Sequence, residues 1–476
     1  MTANLKPYRK MRHSGLAWLG EAPGHWRTRR IKTIFREKDE RNDDGRRPLL
    51  SLTRAMGLLP QSEASSRLAG TADLSKYKVC RPGELVMNRM QAWSGMFAVS
   101  PLEGLVSPDY SVFETSEPCE IGYFAYLFKT PGVVDQFARA SKGIGSGFNR
   151  LYTPDFGAVP ILVPPLSEQT AIVRYLDYMD RRIRRYIRAK RRLIKLLEEE
   201  KQVIIHRAVT GQIDVRTGEP YPAYKPSGVE WLGDVPEHWK FSRGKNYFRE
   251  VDVRSATGQE ELLSVSHITG VTPRSQKNIT MFKAESYVGS KICRRGQIAV
   301  NTMWAWMAAI GVSKYHGLVS PSYHTYEQLG EDCFVDEYLD LLLRTKMYKN
   351  FYTINSSGIT TSRLRLYPDD FLNIRFLCPP RREQEAILER LHDTTADTDA
   401  AIGRANREIE LLHEYCTRLI ADVVTGKLDV REAAANLPEE PGGEPLVDEE
   451  PGQGEMEEVE LGIDEAAPRD VEAWTT

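Results

Sequence analysis

The sequence predicts a mixed α/β (α+β) protein made of two homologous domains and two long helices, followed by an acidic tail. Three observations carry this. Nearly everything before residue 431 occurs twice, each copy ends in a helical stretch about 40 residues long, and residues 432–476 hold fifteen acidic residues and one basic.

The repeat opens with Ser14-Gly-Leu-Ala-Trp18-Leu-Gly20-Glu-Ala-Pro23-Gly-His25-Trp26, which returns as Ser227-Gly-Val-Glu-Trp231-Leu-Gly233-Asp-Val-Pro236-Glu-His238-Trp239. The offset is 213 and holds through Leu50 and Leu263, Cys80 and Cys293, Asn88 and Asn301, and Gly104-Leu-Val-Ser-Pro108 and Gly317-Leu-Val-Ser-Pro321. From Gly143 and Gly358 onward it is 215, a two-residue insertion in the second copy, and the match ends at Val209-Thr-Gly211 and Val424-Thr-Gly426. Solenoid units repeat every ~20–50 residues, so each copy here is a whole domain with its helix. Runs such as Glu84–Asn88 and Gln297–Asn301 read as strands, while Ile121–Phe128 and Val335–Arg344 read as helices.

The long helices are predicted over 167–209 and 382–424. Each begins after a double proline (Pro164 and Pro165; Pro379 and Pro380) and stops before a glycine (Gly211; Gly426). One apolar stripe runs along each: Ile172, Leu176, Met179, Ile183, Ile187, Ile194, Leu197 and Ile204 in the first, Ile387, Leu391, Ile402, Ile409, Leu412 and Leu419 in the second. Steps of three and four sustained this long are coiled-coil spacing. The first helix has 12 basic and 6 acidic residues, net +6, and the second 5 and 10, net −5. Opposite charge favours an antiparallel coiled coil between the two over separate packing on neighbouring domains. About 40 residues at 1.5 Å each make a spacer of roughly 60 Å. The division is 1–166 first domain, 167–211 first helix, 212–381 second domain, 382–426 second helix and 427–476 tail, with an internal pseudo-two-fold repeat.

At 476 residues the chain is too long for one core. It has no apolar run long enough for a membrane span and no signal-like start, so a cytoplasmic, membrane-independent protein is expected. Six scattered cysteines form no CxxC pair, which argues against zinc and against a disulfide framework. Without residues 432–476 the chain has 63 basic and 51 acidic residues, net +12, a balance compatible with nucleic acid. The tail is too acidic and too poor in aromatics to bury a core, so it is expected to be disordered, a solubilising extension or a mimic of nucleic acid.

Catalytic signatures are missing: no GxGxxG after a strand, no phosphate loop, no HExxH and no GxSxG. No catalytic or metal-ligating residue is therefore assigned. His25 and His238, each a lone histidine between a proline and a tryptophan, fit packing better than ligation. What remains is a binding surface. Lys142, Ser146, Asn149 and Arg150 lie in one small, polar, basic segment, and Thr360, Thr361, Arg363 and Arg365 in its counterpart. Such segments can approach phosphates and offer amide, hydroxyl and guanidinium groups to base edges, although a plain surface loop reads the same way. Arg89, Gln91 and Thr302 follow the strands that end at Asn88 and Asn301 and are further DNA-contact candidates, while Trp93 and Trp306 beside them suit a core. Equal frameworks with unequal polar residues suit two readers of different short sequences; a palindrome reader needs identical surfaces.

The chain resembles the specificity subunit of type I restriction-modification systems. The residues that carry this are the Ser14–Trp26 stretch and its repeat, Pro164-Pro-Leu-Ser-Glu168-Gln169 and Pro379-Pro-Arg-Arg-Glu383-Gln384, and Thr210-Gly-Gln-Ile-Asp214-Val-Arg216 and Thr425-Gly-Lys-Leu-Asp429-Val-Arg431. The resemblance covers the chain to about residue 431 and leaves the acidic tail without a counterpart. It implies two target recognition domains, each reading half of a bipartite asymmetric site in double-stranded DNA, with the helices setting the spacer. It also implies two modification subunits that bind S-adenosylmethionine and, in the full complex, two restriction subunits that use ATP and Mg2+, with no cofactor and no catalytic site in this chain. A non-catalytic coiled-coil scaffold that binds only proteins is the alternative from another class, and a self-contained nuclease or methyltransferase a third.

Overall fold

The computed structural model describes residues 5–42, 47–54, 56–64, 74–143, 149–229, 232–277, 286–330, 333–358 and 364–438. The chain divides into two compact units, Met1–Arg191 with Ala405–Gly442, and Arg192–Arg404 with Gly443–Thr476. The boundary falls inside both long helices, so each unit holds a domain and parts of two helices.

In the first unit a four-stranded antiparallel sheet runs in the order Phe35–Lys38, Tyr110–Thr115, Leu85–Asn88 and Phe97–Val99. Val112 in the second of these strands sits opposite both Lys38 and Val86. Four two-stranded ladders surround it: Met11–Leu16 with Leu19–Pro23, Arg27–Arg30 with Pro160–Val163, Leu50–Thr53 with Gly57–Pro60, and Lys78–Cys80 with Gly104–Val106. Helices Ile121–Leu127, Pro131–Ala140 and Thr153–Ala158 lay Tyr123, Phe124, Phe128, Phe137 and Phe156 against Phe35, Phe97 and Phe113, filling the core with ring edges and faces.

The second unit repeats this element by element. Its sheet order is Phe248–Val251, His324–Gln328, Ile298–Val300 and Ile310–Val312, and its helices are Asp336–Leu343, Lys346–Asn355 and Pro368–Asn373. Lys240–Arg243 pairs with Arg375–Cys378 as Arg27–Arg30 does with Pro160–Val163. The expected strands and helices fall within a residue or two of their predicted bounds.

The long helices span Leu166–Val209 and Arg381–Val424. In the first unit Ile172, Tyr175, Leu176 and Met179 share a core with Tyr415, Leu419, Ile420 and Val423. In the second, Ile204, Ile205, Ala208 and Val209 share one with Ile387, Leu388 and Leu391. In both, rising numbers on one helix meet falling numbers on the other, so the pairing is antiparallel. Ile183 and Ile187 are buried, while Leu197, Ile402, Ile409 and Leu412 are half-buried. The expected charge complementarity is realised by Lys190 Nζ on Glu408 Oε2 at 2.8 Å in the first unit and Lys201 Nζ on Asp399 at 2.5 and 2.7 Å in the second. Such solvent-screened pairs contribute little, so the apolar seam carries the stability.

Each helix ends on a glycine with positive φ, Gly211 and Gly426, both at +76°. A Cβ at Gly426 would meet Pro23 and stand 3.1 Å from Trp26, and one at Gly211 would stand 2.6 Å from Pro236 and 3.1 Å from Trp239. The left-handed turn and the close approach each require glycine. Beyond it, residues 427–438 are folded: Arg431–Ala435 is a short helix, and Val430 and Ala434 are buried in the first unit's core. The tail boundary drawn at 427, where the second helix ends, therefore lies too early, because a few alanines and a valine with a helical step suffice to bury this stretch. The rest of the tail lies outside the described residues.

Candidate nucleic-acid interface

In the first unit three segments meet beside the end of strand Leu85–Asn88. The loop after it, residues 89–95, folds as a 3-10 turn over Ala92–Ser94 closed by Gly95 at φ +85°. Asn88 organises this loop: its Oδ1 accepts from Met90 N at 3.1 Å, and its Nδ2 donates to Gln91 Oε1 at 3.2 Å. The hairpin Leu50–Pro60 brings Arg54, whose Nη2 donates to Ser94 Oγ at 2.8 Å. The third segment is an isolated antiparallel bridge: Lys142 and Arg150 exchange backbone hydrogen bonds of 2.9 and 2.8 Å. Leu151 N then donates to Arg89 O at 3.0 Å, seating that bridge on the 89–95 loop.

The second unit places the same parts together. Ser357 and Arg365 form the equivalent bridge, with two bonds of 2.9 Å, and Leu366 N donates to Thr302 O at 3.2 Å. Thr353 Oγ1 donates to Trp306 O at 3.2 Å. Trp304 and Trp306 stack with centroids 5.9 Å apart where the first unit has Gln91 and Trp93.

The predicted residues divide accordingly. Gln91, Lys142, Arg150 and Arg365 are exposed and Asn149 is half-buried, so all can meet a ligand. Lys142 Nζ is held at 2.8 Å from Asp155 Oδ1, a contact that a phosphate would have to share. Arg89 is tied down, its Nε donating to Asp109 O at 2.8 Å and Nη2 to Pro108 O at 3.0 Å. Thr302 is a correction: it is buried and its hydroxyl donates to Ser322 O at 2.8 Å, so it shapes the loop and faces no base. Ser146, Thr360, Thr361 and Arg363 lie outside the described residues. Arg54 was not among the predicted residues; its signal was a polar hairpin turn next to an apolar strand, which sequence alone does not aim at the 89–95 loop.

The stretches that open each repeat act as struts. Glu168, buried at the start of the first long helix, accepts from Trp26 Nε1 and Tyr8 OH, both at 2.9 Å, and lies 2.6 Å from His25 Nε2. Glu383 repeats this with Trp239 Nε1 at 3.1 Å and His238 Nε2 at 2.8 Å. Burial, then the charge and hydrogen bond of Glu168, push the Tyr8 phenol far above its ordinary range. Gln169 bridges Pro164 O and Glu120 N at 2.9 Å each, and Gln384 bridges Pro379 O and Val335 N at 2.9 and 2.8 Å. Tyr123 OH donates to Val424 O at 3.0 Å and Tyr338 OH to Val209 O at 2.9 Å, receiving carbonyls at the helix ends. Both histidines are thus packing groups, as their sequence context indicates.

Burial raises the Cys80 thiol and pushes that of Cys293 up to about 11, which keeps both protonated at neutral pH and unsuited to nucleophilic work. Among the described residues no group of three or more His, Cys, Asp or Glu side chains could hold a metal ion. No described helix is long and apolar enough to cross a membrane.

The architecture is thus a duplicated mixed α/β domain combined with two long antiparallel helices. It is the fold of a solved structure described as "Structural basis underlying complex assembly and conformational transition of the type I R-M system", at TM-score 0.55 and 16% identity over 86% of this chain and 99% of that one. The HsdS subunit of Thermoanaerobacter tengcongensis matches at TM-score 0.40 and 16% identity, over 86% of this chain and 98% of its own. A type I restriction-modification S subunit from M. genitalium matches at 0.32 and 11%, over 89% and 99%. No family model and no curated protein matches the sequence.

Proposed function

We propose that this chain is the DNA sequence-recognition subunit of a type I restriction-modification complex and has no catalytic centre of its own. The observation that carries this is one loop framework built twice with unlike surface chemistry. Gln91 stands where the second unit has Trp304, and the bridge-closed segment at 142–150 differs in sequence from that at 357–365. Each domain would read one half of a bipartite, asymmetric site, with Lys142, Arg150, Arg365 and Arg54 on phosphates and Gln91 on a base edge. The fold shared with a type I R-M structure supports the reading.

The long helices would set the spacer between half-sites and dock two modification subunits. Those subunits would supply S-adenosylmethionine chemistry, and restriction subunits, where present, ATP and Mg2+. Sequencing methylated bases in the host genome with and without this chain tests the proposal: loss of one bipartite motif supports it, and an unchanged methylation pattern overturns it. A four-residue insertion in one long helix should change the preferred spacer.

A further inference from the structure

We propose that the first domain holds a pocket for one phosphate group of the DNA backbone, gripped by Arg54 and Lys129, and that the second domain closes the equivalent place with its own side chains. The inference rests on the recognition reading above and extends it to Lys129, a residue outside the loops named so far.

A cavity of about 120 Å3 lies where the turn of the hairpin Leu50–Pro60 meets the 89–95 loop and the end of helix Ile121–Leu127, and its polar lining is Thr53, Arg54, Ser94 and Lys129. Pockets that enclose whole small molecules measure ~300–1,000 Å3, so this space suits a single small group. Both hydroxyls are committed, Thr53 Oγ1 donating to Gly57 O at 3.2 Å and Ser94 Oγ to Gln91 O at 2.8 Å. The charge comes from Arg54 and Lys129, both exposed. Arg54 uses Nη2 on Ser94 Oγ at 2.8 Å, which leaves its other guanidinium donors. Lys129 has no hydrogen-bond or ion-pair partner among the described residues. No carboxylate lines the cavity, and Asp180, whose charge reaches Lys129, is paired with Arg184 at 2.7 Å.

The duplication supplies the contrast. Lys129 corresponds to Arg344, Arg54 to His267 and Ala125 to Asp340. In the second domain Asp340 Oδ2 stands 3.6 Å from Arg344 Nη1, and Arg344 Nη2 donates to Ile268 O in the turn of the hairpin Leu263–Pro273. That cation is balanced by a carboxylate one helical turn away and tied to its own hairpin. In the first domain alanine stands in place of the carboxylate, and two cations are left facing a cavity that suits a phosphate oxyanion. The bond from Ser94 to Gln91 sets the cavity beside the residue assigned to a base edge. Duplex DNA carries one phosphate charge per ~1.7 Å of its axis, so a base held at Gln91 brings a backbone phosphate close to Arg54 and Lys129.

The test uses the full chain assembled with its modification subunits and the duplex found by methylation mapping. Each phosphate is replaced in turn by a neutral methylphosphonate. Affinity is measured for the unsubstituted chain, for Lys129→Gln, and for Ala125→Asp, which supplies the carboxylate of the second domain. The expected result is one position where methylphosphonate weakens the unsubstituted complex ~fivefold and either variant less than ~twofold. Additive losses at every position, while Arg150→Gln couples to one of them, would overturn the pocket and leave the recognition reading standing. Absence of any preference for the mapped duplex would sink both. Inorganic phosphate that raises the melting temperature of the unsubstituted chain and not of Lys129→Gln, with no coupled position in DNA, would assign the cavity to a free anion and equally overturn the proposal.

Discussion

Trp26 donates its indole N–H to Glu168 at 2.9 Å across 142 positions of sequence, and Trp239 does the same to Glu383 at 3.1 Å across 144. Each bond ties the opening of a domain to the first turn of the helix that leaves it. The angle at which a long helix departs is therefore set by a buried carboxylate.

Replacing that carboxylate should be costly. Glu168→Ala leaves the Trp26 and Tyr8 donors buried without an acceptor, and a loss of about 3 kcal/mol is expected. Urea denaturation followed by tryptophan fluorescence checks this. A loss below about 1 kcal/mol would mean that water or a neighbour takes over both donors.

Two glycines in the second long helix and its exit should respond in opposite senses to alanine. Gly426→Ala puts a side chain at φ +76° and against Pro23, for about 3 kcal/mol of destabilisation. Gly403 lies inside the helix with nothing within 4 Å of its would-be Cβ. Gly403→Ala should raise stability by about 0.5–1 kcal/mol. Melting temperatures of the two variants that move in the same direction would contradict this.

The pair Asp429–Arg431 should show in the acid limb of stability. Hydrogen bonds from Arg431 hold the Asp429 carboxyl below its ordinary 3.8. A depressed carboxyl stabilises the folded state at pH above that ordinary value and loses this contribution as pH falls through the folded-state value. The stability gap between the unsubstituted chain and Asp429→Asn should therefore be full at pH 6 and shrink below pH 4. A gap constant from pH 6 to pH 3 in thermal melts would rule out the ion pair as its source.

Phosphate contacts predict a salt signature. Arg150→Gln or Arg365→Gln in the assembled complex should weaken binding to matched and unmatched duplex alike and lower the slope of log affinity against log salt by about 0.9. Gln91→Ala should instead change preference at one base position and leave the slope unaltered. A base-specific effect from Arg150 would reverse these assignments.

What could be read from the residues in order was whatever depends on short range. The helix spans follow from apolar steps and from proline and glycine at their ends, and the duplication follows from repeated residues. Glu168 could be flagged as recurring, but its partners Tyr8, Trp26 and Arg431 lie more than 140 positions away and no local pattern names them. Thr302 looked available because it follows a strand, yet its burial depends on Ser322 and Leu366 closing over it. Arg54 is the converse, since only the fold brings a hairpin turn to Ser94. Val430 and Ala434 flank the start of the acidic stretch at Glu432, and composition averaged over the tail does not show their contribution to the core.

The first unit is assembled from both flanks of the chain, whereas residues 192–404 contribute the second almost uninterrupted. During synthesis the described part of the second unit, residues 192–404, is made before residues 405–438 supply the rest of the first. Until Val424 and Val430 emerge, Trp26 and Tyr123 lack the helix end they pack on and bond to. A nascent chain from which residues up to about 404 have emerged would thus hold the second domain's core residues and leave the first domain's core open, which makes the early domain the one in need of a chaperone.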